Sequence, residues 1–193
     1  MEFLLDLDRE ILLALNGAHV PWLDEVMFWV SNKYVWIPVY AVLLWVMVRH
    51  LGWRSALVAG ALVGLLILLS DQLTSGLLKP WVARLRPCHD PEIAAMVHRV
   101  YNKCGGQFGF ASSHAANFFA LATYLAGVFA DRSRYWRVGF LVVAGLVALS
   151  RIYLGVHFPG DVIVGALIGV GAGRLVYGVY RWLEPRLTAR FGP

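Results

Sequence analysis

Apolar residues fall into five long runs that are separated by polar segments. The runs cover residues 34–48, 55–78, 111–130, 138–156 and 162–180. Each is close to the roughly 20 residues that an α-helix needs to cross the hydrocarbon core of a bilayer. Trp36 and Trp45 lie near the two ends of the first run, where aromatic residues anchor a span at the membrane interfaces. The pattern predicts an all-α fold, a polytopic membrane bundle of about five or six transmembrane helices.

Residues 1–31, which precede the first run, mix apolar and charged positions. Between Phe3 and Leu15 the apolar residues alternate with four charged ones, Asp6, Asp8, Arg9 and Glu10. This stretch is too charged to cross a bilayer, and we expect an amphipathic helix lying in the membrane interface. Residues 22–30 form a second short piece, which is either interfacial or the start of a span.

The composition agrees with a membrane location. Hydrophobic residues make up 59% of the 193 residues and charged residues only 15%, and the mean hydropathy is +0.63. The length leaves room for one membrane domain, residues 1–193, with little left for a soluble module. The net charge of +5 comes from basic residues scattered over short loops, with no basic face interleaved with aromatics, which argues against nucleic acid as a partner. The first residues are acidic where a signal peptide would be basic, so no cleavable signal is expected.

Arginines of alternate connections predict the orientation. They follow the first, third and fifth runs: Arg49 and Arg54; Arg132, Arg134 and Arg137; Arg181, Arg186 and Arg190. Basic loops face the cytoplasm, so the amino terminus and the long polar connection, residues 79–110, are expected outside a bacterial inner membrane. A loop of this length in a small membrane protein is usually functional. Four basic residues are expected on the outer side, against the preference of such residues for cytoplasmic loops: Lys79, Arg84, Arg86 and Arg151. Their position suggests that they hold an anion.

Cys88 and Cys104 lie in this outer loop. A bridge closing a loop of about 15 residues would stabilise the fold by about 3 kcal/mol in the chain-entropy model, and disulfides persist outside the cytoplasm. The alternative is a zinc site formed by both cysteines with His89 and His98. The adjacent Cys-His pair is poor spacing for zinc ligands, so the disulfide is the favoured interpretation.

The spacing of the glycines predicts how helices pack, and two charged residues, Asp71 and Arg84, have positions that suggest their contacts. Gly60 and Gly64, and then Gly165, Gly169 and Gly173, recur every fourth residue and predict close helix packing. Asp71 lies about two turns before Lys79, which fits either a contact that supports that lysine or a plain buried hydrogen bond. Arg84 is two residues from Arg86 and is expected to face another way, which disfavours direct phosphate contact.

Three polar clusters lie at the outer ends of the runs. They are Lys79 with Arg86; Ser112, Ser113 and His114; and Arg151, His157 and Asp161. Ionisable groups in or near a bilayer are costly and indicate a functional site by default. If the spans form a bundle, the three clusters meet at one membrane depth.

The third cluster has the pattern of an activated histidine. Pro159 and Gly160 break any helix that continues from Arg151, which leaves His157 in a short connection and lets Asp161 cap the next helix. The carboxylate can then orient the imidazole, as a histidine nucleophile or base requires. The competing interpretation is a helix-capping aspartate, a snorkelling arginine and a loop histidine.

Together the clusters indicate a phosphate site. Fixed cations, hydroxyls and the free N–H groups of a helix start form a receptor for a tetrahedral oxyanion. If two histidines lie on opposite sides of a bound phosphate group, one can attack phosphorus and the other can protonate the departing oxygen. The chain offers no convincing carboxylate cluster for a metal ion, so neither a metal nor another cofactor is expected.

Three segments match motifs of one known family. They are Lys79-x6-Arg86-Pro87, Ser112-Ser113-His114 and Ser150-Arg151-x5-His157-x3-Asp161. The first and third have the family's form in full, and the second resembles its Pro-Ser-Gly-His motif. The chain therefore resembles the type 2 phosphatidic acid phosphatases (PAP2), whose superfamily also includes vanadium haloperoxidases.

The resemblance implies a role for each matching residue. His157 would be the nucleophile, oriented by Asp161, and His114 would be the general acid. The phosphoryl oxygens would be bound by Lys79, Arg86, Ser112, Ser113 and Arg151. The second motif departs from the family at Ala111, in place of proline, and at Ser113, in place of glycine. A side chain at Ser113 lies where the backbone should approach phosphate closely, so Ser112 is the better phosphate ligand of the two.

The expected function is hydrolysis of a phosphomonoester or diphosphate on a lipid at the outer leaflet. The lipid would enter laterally, past the interfacial amino-terminal helices. By analogy undecaprenyl diphosphate is the first candidate, followed by phosphatidylglycerol phosphate, phosphatidate and the phosphates of lipid A. Two alternatives are a phosphotransferase that uses the same phosphohistidine and a non-catalytic protein that binds or translocates lipid headgroups.

Overall fold

The computed structural model describes residues 2–131 and 133–191, with side chains up to residue 186. Arg132 and the side chain of Arg190, two of the arginines that predict the orientation, lie outside this description. The described chain is almost entirely helical, with α1 (Glu2–Gly17), α2 (Pro21–Ser31), α3 (Lys33–Leu51), α4 (Trp53–Asp71), α5 (Lys79–Val82), α6 (Ser113–Val128), α7 (Arg134–Tyr153) and α8 (Pro159–Phe191). A π-helical segment, Gln72–Leu78, joins α4 to α5. Short 3₁₀ turns lie at Pro87–His89 and Val100–Asn102.

Four of the described helical stretches are long and apolar enough to cross a membrane. They are Lys33–Leu51, Trp53–Val82, Arg134–Tyr153 and Pro159–Arg186. Helix α6, with 16 residues, is shorter and packs against α8, α7 and α4. The predicted all-α polytopic membrane bundle is confirmed.

The amino-terminal helix α1 is amphipathic. It buries Leu12 and Asn16 completely and exposes about three quarters of Phe3 and two thirds of Leu4. The Asn16 side chain donates to the carbonyl of Tyr153 at 2.7 Å, which ties α1 to the end of α7. The helix therefore lies along the end of the bundle and leaves an apolar face for the bilayer interface.

Glycines set the closest helix contact, between α6 and α8. A Cβ atom added at Gly165 would lie 2.4 Å from the carbonyl oxygen of Ser112, the N-cap of α6, and one added at Gly169 or Gly173 would lie 2.3 or 2.5 Å from a carbonyl oxygen within α6. Only glycine permits this approach, because any Cβ would overlap the opposing backbone. The predicted packing face of α8 is confirmed.

The glycine prediction for α4 is wrong at both positions. A Cβ atom at Gly60 would meet only the Leu44 side chain, at 3.9 Å, and nothing lies within 4 Å of a Cβ atom at Gly64. The buried side of α4 is lined instead by small and branched apolar residues, Ala56, Ala59, Leu62 and Leu66. Ordinary side-chain burial, rather than backbone approach, holds this helix.

The outer loop folds back on itself. Cys88 and Cys104 are joined in a disulfide. The amide of Arg86 donates to the carbonyl of Gln107 at 3.0 Å, and the amide of Gly109 donates to that of Arg84 at 2.8 Å. This short antiparallel pairing brings both arginines beside residue 109.

One histidine of the alternative zinc set, His98, lies away from the other three residues. His98 Nε2 is 2.9 Å from the Asp24 carboxylate, and the His98 ring stacks on His19. His98 is thus held against the turn between α1 and α2, and both cysteine sulfurs are used in the disulfide. The ligand atoms of Cys88, His89 and Cys104 lie within 4.8 Å of one another, but His98 does not join them.

A cluster of buried apolar side chains packs the loops against the helices at one end of the bundle. It joins Leu12 of α1, Val97 of the outer loop and Phe158 of the α7–α8 connection, with Ala115 of α6. Four separate segments are therefore packed together at the end of the bundle that carries the polar clusters.

Candidate active site

A cavity of about 240 Å³ lies at this end of the bundle. Its wall is formed by Asp71, Ser75, Lys79, Arg86, Ser113, His114, Asn117, Arg151 and His157. The three sequence clusters thus meet, as the bundle predicts. Asp161 and Ser112 do not line the cavity and lie behind its wall.

His157 lies in the connection between α7 and α8 and is 1% exposed. Its Nδ1 is 3.5 Å from Oδ2 of Asp161, within ion-pair distance, and has no hydrogen-bond partner among the described residues. The same oxygen accepts from the amide of Phe158 at 3.1 Å, which fixes the carboxylate at the start of α8. Since Nδ1 faces Asp161, Nε2 is the ring nitrogen available to the cavity.

Arg84 holds the other side of Asp161. One Nη atom donates to Asp161 Oδ1 at 3.0 Å and the other donates to Asp8 of α1 at 2.7 Å. Asp8 also accepts from the amide of Gly160 at 2.6 Å. The expectation that Arg84 faces another way from Arg86 agrees with the cavity, whose wall includes Arg86 but not Arg84. Arg84 therefore contacts the carboxylate beside His157 and does not line the cavity.

Lys79 is positioned by hydroxyl groups. Its Nζ donates to Ser75 Oγ at 3.0 Å and to Ser113 Oγ, and Ser75 Oγ donates to the Asp71 carboxylate at 3.2 Å. Asp71, Ser75 and Lys79 are four residues apart along one continuous helical stretch, so they share a face. Asp71 therefore supports the lysine through Ser75. The sequence pattern misses Ser75, although its spacing from Lys79 is a usable signal.

The two serines of the second cluster have different positions. Ser112 is fully buried, and its Oγ accepts from the amide of Ala115 at 3.5 Å as the N-cap of α6. Ser113 lines the cavity, and its Oγ also accepts from Thr74 at 3.0 Å. The sequence pattern favours Ser112 as the phosphate ligand, whereas the structure places the Ser113 hydroxyl beside Lys79 on the cavity wall.

Backbone carbonyls hold the guanidinium of Arg86. Nε donates to Phe108 O at 3.2 Å, and Nη1 donates to Val156 O at 3.3 Å. Burial lowers the pKa of Arg86, and the nearby Asp161 carboxylate opposes that shift. The side chain is thus a fixed cation on the cavity wall.

Arg151 and Asn117 present unused polar atoms. Nη1 of Arg151 donates to Ser31 Oγ, while its buried Nε has no hydrogen-bond partner among the described residues. The Oδ1 of Asn117 is likewise buried without a partner in the described chain. The sequence pattern misses Asn117, although its place three residues after His114 on α6 indicates the same helix face.

The electrostatic setting keeps His157 neutral. Burial lowers the pKa of its imidazole well below the ordinary 6.5, and the positive charges of Arg151 and Arg86 act in the same direction. A neutral imidazole has the free lone pair that a nucleophile needs.

A family model of the PAP2 superfamily matches residues 60–185. The chain belongs to the PAP2 superfamily. It is 40% identical over 192 residues to the lipid A 4'-phosphatase of Bacteroides thetaiotaomicron, covering 98% of this chain and 82% of the relative. It is 37% identical over 186 residues to the lipid A 4'-phosphatase of Porphyromonas gingivalis, covering 96% and 78%.

A solved PAP2 structure shows the same fold. The PAP2-type phosphatidylglycerolphosphate phosphatase of Bacillus subtilis superposes with a TM-score of 0.69 at 26% identity, covering 93% of this chain and 87% of that one. The predicted family and enzyme class are confirmed. The protein is a multi-pass membrane lipid phosphatase of the PAP2 type.

Proposed function

We propose that this PAP2 phosphatase removes a phosphate monoester from a lipid A-type glycolipid through a phosphohistidine at His157. The substrate class is supported by the two lipid A 4'-phosphatases that match nearly all of this chain. Undecaprenyl diphosphate is the first candidate by analogy alone, and the similarity to these two relatives supports a lipid A phosphate in its place.

The observation that carries the chemistry is the presence of both histidines on the wall of one cationic cavity. His157 and His114 face the same space as Lys79, Arg86 and Arg151. In the first step Nε2 of His157 attacks phosphorus, the bond from phosphorus to the lipid oxygen breaks, and His114 gives that oxygen a proton. The products are a lipid alcohol and phosphohistidine.

Water completes the turnover. His114, now neutral, accepts a proton from the water that attacks phosphorus, the bond between phosphorus and His157 breaks, and inorganic phosphate leaves. The three cations and the Ser113 hydroxyl stabilise the equatorial oxygens in both transition states. The Asp71 carboxylate on the wall is engaged by Ser75, so it supports Lys79 rather than a metal ion. We therefore expect hydrolysis without a metal.

We place the site on the extracytoplasmic side of the inner membrane. Arg49 and Arg54 lie at the turn between α3 and α4, away from the cavity, as cytoplasmic loops require. The Cys88–Cys104 disulfide lies in the loop that carries Arg86, and an oxidising compartment suits it.

Phosphate release from a panel of lipids tests the proposal. The purified protein in detergent with EDTA is given lipid A, phosphatidylglycerol phosphate, phosphatidate and undecaprenyl diphosphate. We expect fastest release from lipid A, with loss of activity in His157→Ala and His114→Ala. Brief reaction with ³²P-labelled lipid A should label the wild type through a bond that is labile to acid and stable to base, and should leave His157→Ala unlabelled.

Three results would overturn parts of the proposal. Loss of activity in EDTA would contradict the metal-free mechanism, and faster release from another lipid would contradict the substrate class. Transfer of the label to a lipid or sugar hydroxyl instead of water would make the protein a phosphotransferase.

A further inference from the structure

A second, larger cavity of about 600 Å³ adjoins the catalytic one. Arg86, His114 and Arg151 lie on the wall of both. The remaining wall comes from the α2–α3 turn and the outer loop: Phe28, Ser31, Asn32, Lys33, Tyr34, Val100, Lys103, Cys104 and Gly105, with Leu154 and Val156. The volume is in the range that binds small molecules or headgroups.

The shared residues show on which side of phosphorus this cavity lies. His114, the proposed proton donor to the leaving oxygen, is on its wall, whereas His157, the proposed nucleophile, is not. In phosphoryl transfer the attacking and leaving atoms are roughly in line. A group in the second cavity is therefore on the leaving-group side.

The wall chemistry favours an anionic, hydroxyl-rich group over an acyl chain. Lys33 and Lys103 add two cations to the shared arginines, and the wall residues given above, all within the described chain, include no carboxylate. The ammonium of Lys103 lies 4.7 Å from the ring centre of Phe28, and that of Lys33 lies 5.2 Å from that of Tyr34. Aromatic faces hold such cations.

Local contacts fix the backbone at Lys33 and at Lys103. Asn32 Oδ1 accepts from the amide of Tyr34 at 3.1 Å and caps α3 at Lys33. Lys103 lies between the 3₁₀ turn Val100–Asn102 and the disulfide-bonded Cys104. The two charges thus face one cavity from opposite segments that are fixed independently.

We propose that the second cavity binds the leaving group of the substrate and that Lys33 and Lys103 recognise a second anionic group on it. The ligand class is a phosphorylated sugar: a glycolipid that carries a second phosphate away from the one being cleaved. This inference rests on the proposed function, since it assumes that His114 faces the leaving oxygen. It makes Lys33 and Lys103 specificity residues rather than catalytic ones.

The test compares two synthetic disaccharide lipids that share the cleaved phosphate, one with and one without the distant phosphate. Values of kcat/KM are measured in detergent for the wild type, the double variant Lys33→Ala/Lys103→Ala, and Lys33→Arg/Lys103→Arg. Arg99→Ala, an exposed cation of the same loop that is not on the cavity wall, is the matched control. We expect the wild type and Arg99→Ala to prefer the bisphosphorylated lipid at least about tenfold, as charged contacts of this kind allow.

In the double alanine variant that preference should disappear through a rise in KM for the bisphosphorylated lipid alone. The double arginine variant should keep it. An equal loss on both lipids, or an undiminished preference in the alanine variant, would overturn the proposal.

A separate readout distinguishes this inference from the proposed function. The soluble bisphosphorylated disaccharide is tested as an inhibitor of phosphatidate hydrolysis. If neither disaccharide lipid is cleaved but the disaccharide inhibits the wild type at least about tenfold more tightly than the alanine variant, the proposed substrate fails and the cavity assignment stands. If both lipids are cleaved with equal kcat/KM and inhibition is unchanged in the variant, the cavity assignment fails and the proposed function stands.

Discussion

Arg84 donates to the Asp161 carboxylate at 3.0 Å with one nitrogen and to Asp8 at 2.7 Å with another. Asp161 is completely buried and faces His157 with its second oxygen. A buried carboxylate is costly unless it is paired, so Arg84 helps to keep Asp161 charged and aimed at the imidazole. The same guanidinium links helix α1 to the His157–Asp161 pair.

Replacing this arginine should therefore impair turnover more than binding. We expect Arg84→Gln to lower kcat about ten- to a hundredfold, as loss of an orienting partner typically does. KM should change little, because Arg84 is not on the cavity wall. Steady-state phosphate release from the best lipid substrate measures both constants.

Two variants control for charge and geometry. Arg99→Gln removes an exposed cation from the same loop and should leave kcat unchanged. Arg84→Lys should be intermediate, since an ammonium cannot span two carboxylates in the planar fork geometry of a guanidinium. A raised KM with normal kcat in Arg84→Gln would instead place the residue in contact with substrate.

Because Gly109 has no side chain, there is room beside it for the paired side chains of His157 and Asp161. A Cβ atom there would lie 2.9 Å from Asp161 Oδ2 and 3.5 Å from His157 Nδ1. Gly109→Ala should displace the carboxylate and reduce kcat about a hundredfold, the effect of misplacing a catalytic group by about 1 Å. Gly106→Ala, at a position with nothing within 4 Å, should keep normal activity. Full activity in Gly109→Ala would show that the carboxylate position tolerates such a shift.

Because the pKa of His157 is lowered in the folded protein, the free energy of unfolding depends on pH. In the unfolded chain the imidazole binds a proton as the pH falls through 6.5, whereas in the folded protein it stays neutral to lower pH. The unfolded state then binds more protons, so His157 destabilises the folded protein as the pH falls from above 6.5 toward its folded pKa. Thermal unfolding between about pH 8 and pH 5 should show a larger drop in Tm for the wild type than for His157→Gln. Parallel curves would mean that His157 titrates normally in the folded state.

The α6–α8 contact depends on glycine. At Gly169 a Cβ would lie 2.3 Å from the carbonyl oxygen of Ala116, so Gly169→Ala must push the helices apart. Such overpacking costs about 1–3 kcal/mol, and the Tm in detergent should fall. Gly171→Ala, on the open side of the same helix, should leave the Tm equal or higher, because alanine is the better helix former. A similar response of the two variants would contradict tight backbone packing.

The sequence alone determines that the protein lies in a membrane, that it is a helical bundle, that it resembles the PAP2 family, and which face of α8 packs closely against another helix. These features depend on local patterns: apolar runs set the spans, glycine every fourth residue marks one helix face, and Pro159-Gly160 separates α7 from α8 near His157. The convergence of the three polar clusters follows once the spans form a bundle.

Only the tertiary structure decides which side chains face the cavity. The rotation of α6 places Ser113 and Asn117 on the wall and Ser112 behind it, and the pairing of the outer loop turns Arg84 toward Asp161 and Asp8. Asp8 and Arg84 are 76 residues apart, and such a contact leaves no periodic trace in the sequence. Its geometry depends on how helices and loops pack, a property of the whole fold that local hydrophobic patterns do not encode.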